Sequence, residues 1–299
     1  MADVALKTQE LFDCRNAWVA TLEDLAENDP RIVAVVNDSI GSSKLGGFQK
    51  KFPNRLVNVG IAEQCMVGVG AGLANGGHIP FVSAASCFLT GRSLEQVKAD
   101  VAYAGFNVKL IGQSSGIAYG ELGPTHHSIE DFAWLRVLNN LTVVAPADPW
   151  ETAEAIKWAA AHEGPVYIRL SRMPVPELDI PNRVFRAGKA ELVRAGRDVA
   201  IIANGTTVHL AAAASDALAA EGVSARVLNM ATINPLDEAE ILTAEDAQAH
   251  PDFAAAQSAV DARNTSEAFL RLPAGQQKAL IDKERRETVG SPEDAKILK

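Results

Sequence analysis

Two stretches of this 299-residue chain carry side chains that could move protons or hold a polar ligand. In Asn58-Val59-Gly60-Ile61-Ala62-Glu63-Gln64, a carboxylate opens an apolar, glycine-rich helix. First-turn acids commonly do no more than answer the helix dipole. Held in a cleft, the same group is a candidate for proton chemistry. The second stretch, Gly120-Glu121-Leu122-Gly123-Pro124-Thr125-His126-His127-Ser128, follows a strand pattern and precedes a helix pattern. That is the carboxyl end of a parallel strand, where open α/β sheets place their ligand contacts. Two histidines in such a turn are candidate proton carriers near neutral pH. Neither stretch has metal-ligand spacing, so the chain is expected to supply no metal ligand. The run GVGAGLANGG lacks the G-x-G-x-x-G spacing after a strand, so it reads as close helix packing rather than a dinucleotide site.

The elements that must position these groups alternate between β and α. Apolar runs at 32–36, 79–83, 107–111, 141–145 and 165–170 read as strands. Helices are expected at 61–74, 93–104, 128–138 and 150–161. Continuous β-branched runs between helices are what a parallel sheet covered on both faces requires. Asp148-Pro149 supplies a cap and a first-position proline for the helix that follows. The proline-containing stretch 173–185 reads as a linker. A second α/β unit follows, with strands at 198–203 and 224–230 around a helix at 206–221. Residues 244–299 are polar and show no strand-like run.

Hydrophobic residues make up 47% and charged residues 22%, ordinary for a globular protein with two cores. A net charge of −9 argues against nucleic acid as a partner, and no apolar run reaches the roughly 18 residues of a membrane span. The N-terminus lacks the layout of a signal peptide. Cys14, Cys65 and Cys87 are too scattered for a disulfide framework or a zinc site. All three are expected to be buried thiols, in keeping with a reducing cytoplasm.

Six segments occur in an order that carries a resemblance: RLVNVGIAEQ (55–64), IPFVS (79–83), FLTGR (88–92), GPTHHSIED (123–131), VVAPAD (143–148) and GPVYIRLSR (164–172). Together they strongly resemble the pyrimidine-binding half of transketolases, over about residues 10–240. The resemblance implies an α/β fold with a parallel-sheet thiamine-diphosphate pyrimidine-binding domain over residues 1–172. A linker over 173–197 would lead into a smaller, incomplete transketolase C-terminal domain over 198–243, before an atypical tail. The G-D-G…N motif that holds Mg²⁺ and the diphosphate in that family is absent from this sequence. The chain thus resembles the second subunit of a split transketolase, active with an N-terminal, diphosphate-binding subunit that holds Mg²⁺, in an α2β2 assembly.

Carried over by this resemblance, Glu63 would hydrogen-bond N1′ of the aminopyrimidine and favour the tautomer that takes the thiazolium C2 proton. Phe88 would stack on the pyrimidine, and Asp38 would lie near the cofactor. Ser42 and Arg172 would hold the sugar phosphate, while His126 would contact the donor's hydroxyls. Two departures bear on the donor. Ser114 stands where many transketolases have a second histidine, and Leu122 where they have an aspartate. Losing a polar reader changes which hydroxyl configuration is accepted. The pattern resembles split enzymes acting on sugars such as apulose 4-phosphate. Two other readings are the β-subunit of a 2-oxo acid dehydrogenase and a non-catalytic binding subunit. Gly123-Pro124-Thr125-His126 with Ser42 and Arg172 favours sugar phosphates over the former. The presence of Glu63, Phe88 and His126 argues against the latter.

Overall fold

The computed structural model describes residues 10–241; the expectations for the polar tail and for completeness of the second domain fall mostly outside them. The chain enters through helix α1 (Cys14–Asn28) into strand β1 (Ile32–Val36), buried at all five positions. Then come α2 (Gly46–Lys51), β2 (Leu56–Asn58), α3 (Glu63–Asn75) and β3 (Ile79–Ala85). Next are α4 (Ser86–Gly91), α5 (Leu94–Gln96), a π-helical turn over Val97–Tyr103, and β4 (Lys109–Gln113). A long loop leads to α6 (Asp131–Leu135), β5 (Thr142–Val144), α7 (Pro149–Ala161) and β6 (Val166–Arg169). The second part holds β7 (Glu191–Arg194), β8 (Val199–Ala203), α8 (Val208–Ala220), β9 (Ala225–Asn229), β10 (Thr232–Asn234) and α9 (Glu238–Ile241).

Seven strands form one sheet in the order β10-β5-β6-β4-β3-β1-β2. Six run parallel, and β10 closes the edge antiparallel to β5. Successive residues on a strand point to opposite faces, so Phe81 and Val82, Leu110 and Ile111, and Tyr167 and Ile168 divide between two cores. One core gathers Trp18, Leu22, Phe48 and Ile156. The other gathers Met66, Val67 and Leu135. Gly70 lets α3 close onto β3, since a Cβ there would stand 2.5 Å from Val82 Cγ2. This bears out the packing reading of the glycine run at that position. Gly112 is needed for a similar reason, because a Cβ would stand 2.3 Å from Tyr167 Oη.

The smaller sheet runs β7-β9-β8, with Val208, Ala211, Ala212 and Val227 in its core. Its first strand, β7, lies inside the stretch read as linker and entry, while β10 leaves the second unit to pair with the first sheet. Residues 173–185 form no strand or helix, yet they are tightly held. Phe12 and Val175 exchange two backbone hydrogen bonds, at 2.8 and 3.0 Å. Arg183 donates to Asp148 (2.6 Å) and to both Glu191 oxygens (2.9–3.2 Å). Beside it, Asn229 Nδ2 donates to both oxygens of buried Glu151 (2.9 and 3.0 Å). Burial pushes the Glu151 carboxyl up to about 7. Asp148 caps α7, accepting from Glu151 N at 2.8 Å, with Pro149 in the first turn as expected.

The cysteine expectation needs correction. Cys14 is buried and Cys87 half-buried, but Cys65 is exposed, because it falls on the outward face of α3. No helix among the described residues is long and apolar enough to cross a membrane.

Candidate functional site

Every candidate side chain follows the carboxyl end of a parallel strand. Asp38 and Ser42 come after β1, Glu63 after β2, Phe88 after β3, Ser114 and His126 after β4, and Arg172 after β6. Since β6, β4, β3, β1 and β2 are successive neighbours in the sheet, its order brings these loops to one edge. Glu63 opens α3 after the turn at Gly60 (φ 74°), and its side chain is buried. The helix starts there rather than at Ile61, which is left exposed.

One carboxylate oxygen of Glu63 collects two donors. Asn37 Nδ2 donates to Oε1 at 3.0 Å and Arg92 Nη1 at 2.7 Å, while Oε2 has no hydrogen-bond partner among the described residues. The Arg92 guanidinium also lies 3.9 Å from the Phe88 ring centroid. Phe88 is only half-buried and meets the His126 ring edge-on at 5.2 Å, so it is not a core filler. His126 meets Tyr119 at 5.3 Å, and Arg172 lies over Tyr119 at 5.2 Å. A contiguous line of contacts therefore runs from Glu63 to Arg172.

Thr125 Oγ1 stands 3.0 Å from His126 Nδ1, which leaves Nε2 as the ring nitrogen open to a ligand. His127 is committed to the Gly120 carbonyl at 3.0 Å. The exposed Ser42 donates to Ser39 O (3.2 Å). Asp38 (φ 65°) is exposed and accepts from Asn58 Nδ2 at 3.1 Å. Ser114 (φ 55°) buries a hydroxyl with no partner, and none of the contacts above includes it.

Behind the histidine loop lies a buried network anchored by Asp131. Its Oδ2 accepts from Ser86 (3.2 Å), Tyr167 (2.8 Å) and Arg169 Nε (2.8 Å). Ser128 Oγ donates to Ser86 Oγ at 2.9 Å, and Gly116 pairs with Ser128 through two backbone bonds. The loop carrying His126 is thereby fastened to α4, which carries Phe88. Asn37, Arg92, Tyr119 and Asp131 do not emerge from the sequence alone. Arg92 has a signal there, since it lies four residues after Phe88 and proves to cap the helix that carries it. Among the described residues, no group of three or more His, Cys, Asp or Glu side chains could hold a metal ion.

Residues 11–177 match the transketolase pyrimidine-binding domain and residues 188–281 the transketolase C-terminal domain. The chain belongs to the transketolase family. It is 44% identical, over 76% of this chain and 73% of the relative, to one of the subunits of an apulose-4-phosphate transketolase from Phocaeicola vulgatus. It is 42% identical, over 76% and 71%, to the 6-deoxy-6-sulfo-D-fructose transketolase subunit SqwH from a Clostridium species. A solved structure described as a split gene transketolase, inactive beta4 tetramer, is 41% identical over 76% and 73% of the two chains, with a TM-score of 0.69. Transketolase from Campylobacter jejuni, 22% identical with a TM-score of 0.71 over 77% of this chain and 37% of that one, shares the fold.

Proposed function

We propose that this chain is the pyrimidine-binding subunit of a two-chain thiamine-diphosphate transketolase, transferring a two-carbon ketol unit from a ketose phosphate to an aldose phosphate. The observation that carries the reading is the state of Glu63. Both of its donors sit on Oε1, while Oε2 is without a partner among the described residues, in a loop edge shared with Phe88 and His126. A buried carboxylate with one committed and one open oxygen suits a ring nitrogen that must gain and lose a proton. The unpartnered, buried Ser114 Oγ also fits an edge that receives a polar group.

When bound, thiamine diphosphate supplies the carbon nucleophile that carries the ketol unit. Glu63 would hold and release the proton at N1′, and Phe88 would offer an aromatic face to the pyrimidine. Asp38, on the turn after β1, would offer a polar contact to the cofactor. His126, through Nε2, would hydrogen-bond the donor's hydroxyls. Arg172 and Ser42 would hold the sugar phosphate, the guanidinium supplying a paired donor. The diphosphate and Mg²⁺ are assigned to the partner, because the family's G-D-G segment is not in this sequence.

Support for a partner wall comes from apolar side chains around the site. Ile61 is 79% exposed, Ile117 65% and Ile129 67%. Exposed apolar side chains of this size, on the loops that carry Glu63 and His126, fit an interaction surface. We assign them to the diphosphate-binding subunit, in an α2β2 assembly. The test is Glu63→Gln in the co-purified pair, with C2–H exchange of bound thiamine diphosphate followed by NMR. Exchange should slow by about 10²-fold or more while assembly persists. Exchange within about threefold of wild type, far below that range, would remove the role of Glu63.

A further inference from the structure

Behind Glu63 the buried polar side chains form a file across the carboxyl ends of three neighbouring strands. Gln113 Nε2, ending β4, donates to Ser83 Oγ on β3 at 3.1 Å. Ser83 Oγ donates to Ser43 Oγ at 3.1 Å, and Ser43 Oγ stands 3.4 Å from Ser39 Oγ. Ser39 Oγ donates to Asn37 Oδ1 at 2.6 Å, and Asn37 Nδ2 donates to Glu63 Oε1 at 3.0 Å. Asn37, Ser43, Ser83 and Gln113 are all more than nine-tenths buried, whereas Ser39 is only half-buried.

Counting protons fixes the direction of every link. An ionised carboxylate only accepts, so Asn37 presents its N–H to Glu63 and its carbonyl to Ser39. A serine hydroxyl has one proton; Ser39 gives its own to Asn37, so Ser43 must be the donor between those two. Ser83 must then donate to Ser43, and it can accept only from the amide N–H of Gln113. All the dipoles therefore point toward Glu63, and hydrogen bonds in such a row polarise one another. The arrangement also accounts for an otherwise anomalous atom. With its N–H turned to Ser83, Gln113 must turn Oε1 away, and that oxygen is buried without a partner. A buried orphan of this kind is costly and calls for a reason.

We infer that this file positions Glu63 for the proton exchange proposed above. It locks the Asn37 amide in the one orientation that donates to Oε1, and so keeps Oε2 for the cofactor nitrogen. The inference rests on the Glu63 reading, and its test separates the two. Freed from Ser39, the Asn37 amide can turn its carbonyl toward the carboxylate, which drives the two groups apart and misaligns Oε2. Ser39, Ser43 and Ser83 act through Asn37 and are positioning residues.

The experiment uses Ser39→Ala, Ser39→Thr, Ser83→Ala and Glu63→Gln, each in the chain co-purified with its diphosphate-binding subunit and loaded with thiamine diphosphate and Mg²⁺. Three readouts are taken: C2–H exchange by NMR, the cofactor's dissociation constant by calorimetry, and the Asn37 side-chain amide resonances. Ser39→Ala and Ser83→Ala should each slow exchange by about fivefold or more, less than removal of the acid–base group itself. They should also shift the Asn37 resonances and leave the dissociation constant within about twofold. Ser39→Thr, which keeps the hydroxyl, should restore exchange. Serine variants that exchange at the wild-type rate beside a slow Glu63→Gln would overturn the positioning role alone, as would a Ser39→Thr as slow as Ser39→Ala. Should Glu63→Gln itself exchange at the wild-type rate, the Glu63 reading falls and takes this inference with it.

Discussion

At position 122 a leucine stands four residues before His126, half exposed on the turn that spans Gly120–Thr125. The family resemblance sets an aspartate at this position, and leucine offers apolar surface alone. A donor hydroxyl buried against it would lack a partner, at about 1–3 kcal/mol, which is roughly tenfold to a hundredfold in specificity. Leu122→Asp should therefore shift kcat/KM toward xylulose 5-phosphate and away from the natural donor in a panel of ketose phosphates. An unchanged ratio in an enzyme that already prefers xylulose 5-phosphate would remove the case for an unusual donor. Ser114→His should shift it less, since serine can still bond through a water. At this scale the sequence is legible where a motif follows a strand, which is how Glu63, Phe88 and His126 come to stand at one edge of the sheet. It is silent on Asn37 and Tyr119, because their partners arrive from other strands: Asn37 meets Glu63 across β1 and β2, and Tyr119 meets Arg172 across β4 and β6. Cys65 departs from expectation because the composition around it does not say which way a helix faces.

The buried strands can be read directly from the sequence, since five or so consecutive apolar residues leave little other choice. The short edge elements cannot. β2 and β10 have three residues each, and their identity comes from pairing with β1 and β5. The helix expected over 128–138 contracts to Asp131–Leu135, because Ser128 is drawn into its bridge with Gly116. The stretch 173–185 is proline-containing as a linker would be, yet Arg183 pins it to α7 and β7. That junction makes a pH prediction. Burial raises the Glu151 carboxyl from 4.5 to about 7, so between these values the folded chain binds more protons than the unfolded one. Its contribution is fully present below about pH 4.5 and is lost as pH rises through about 7, by at most about 3 kcal/mol. Urea unfolding at pH 5 and pH 8 should show this fall in the wild type and a smaller fall in Glu151→Gln. Equal falls in both would assign the effect elsewhere.

At the scale of the whole molecule, the loop edge combines a polar site with uncovered apolar side chains. Ile61, two residues before Glu63, is the most exposed of those flanking it. Covering an isoleucine contributes about 1.5–3 kcal/mol, and an aspartate in its place would bury an unpaired charge. Ile61→Asp should weaken association with the diphosphate-binding subunit by roughly tenfold or more, while the lone chain keeps its melting temperature. Sedimentation of the mixed subunits, beside thermal unfolding of each, reads both quantities. Unchanged association would place the interface on another face.

Calorimetry of thiamine diphosphate with Mg²⁺, titrated first into this chain alone and then into its mixture with the diphosphate-binding subunit, tests the account most directly. A site with one wall missing loses most of its contacts. The chain alone should therefore give no saturable heat, and the mixture should bind tightly, with one cofactor per copy of this chain. Micromolar, Mg²⁺-dependent binding to the lone chain would contradict the account. So would a mixture that binds no better than its diphosphate-binding partner does when titrated alone.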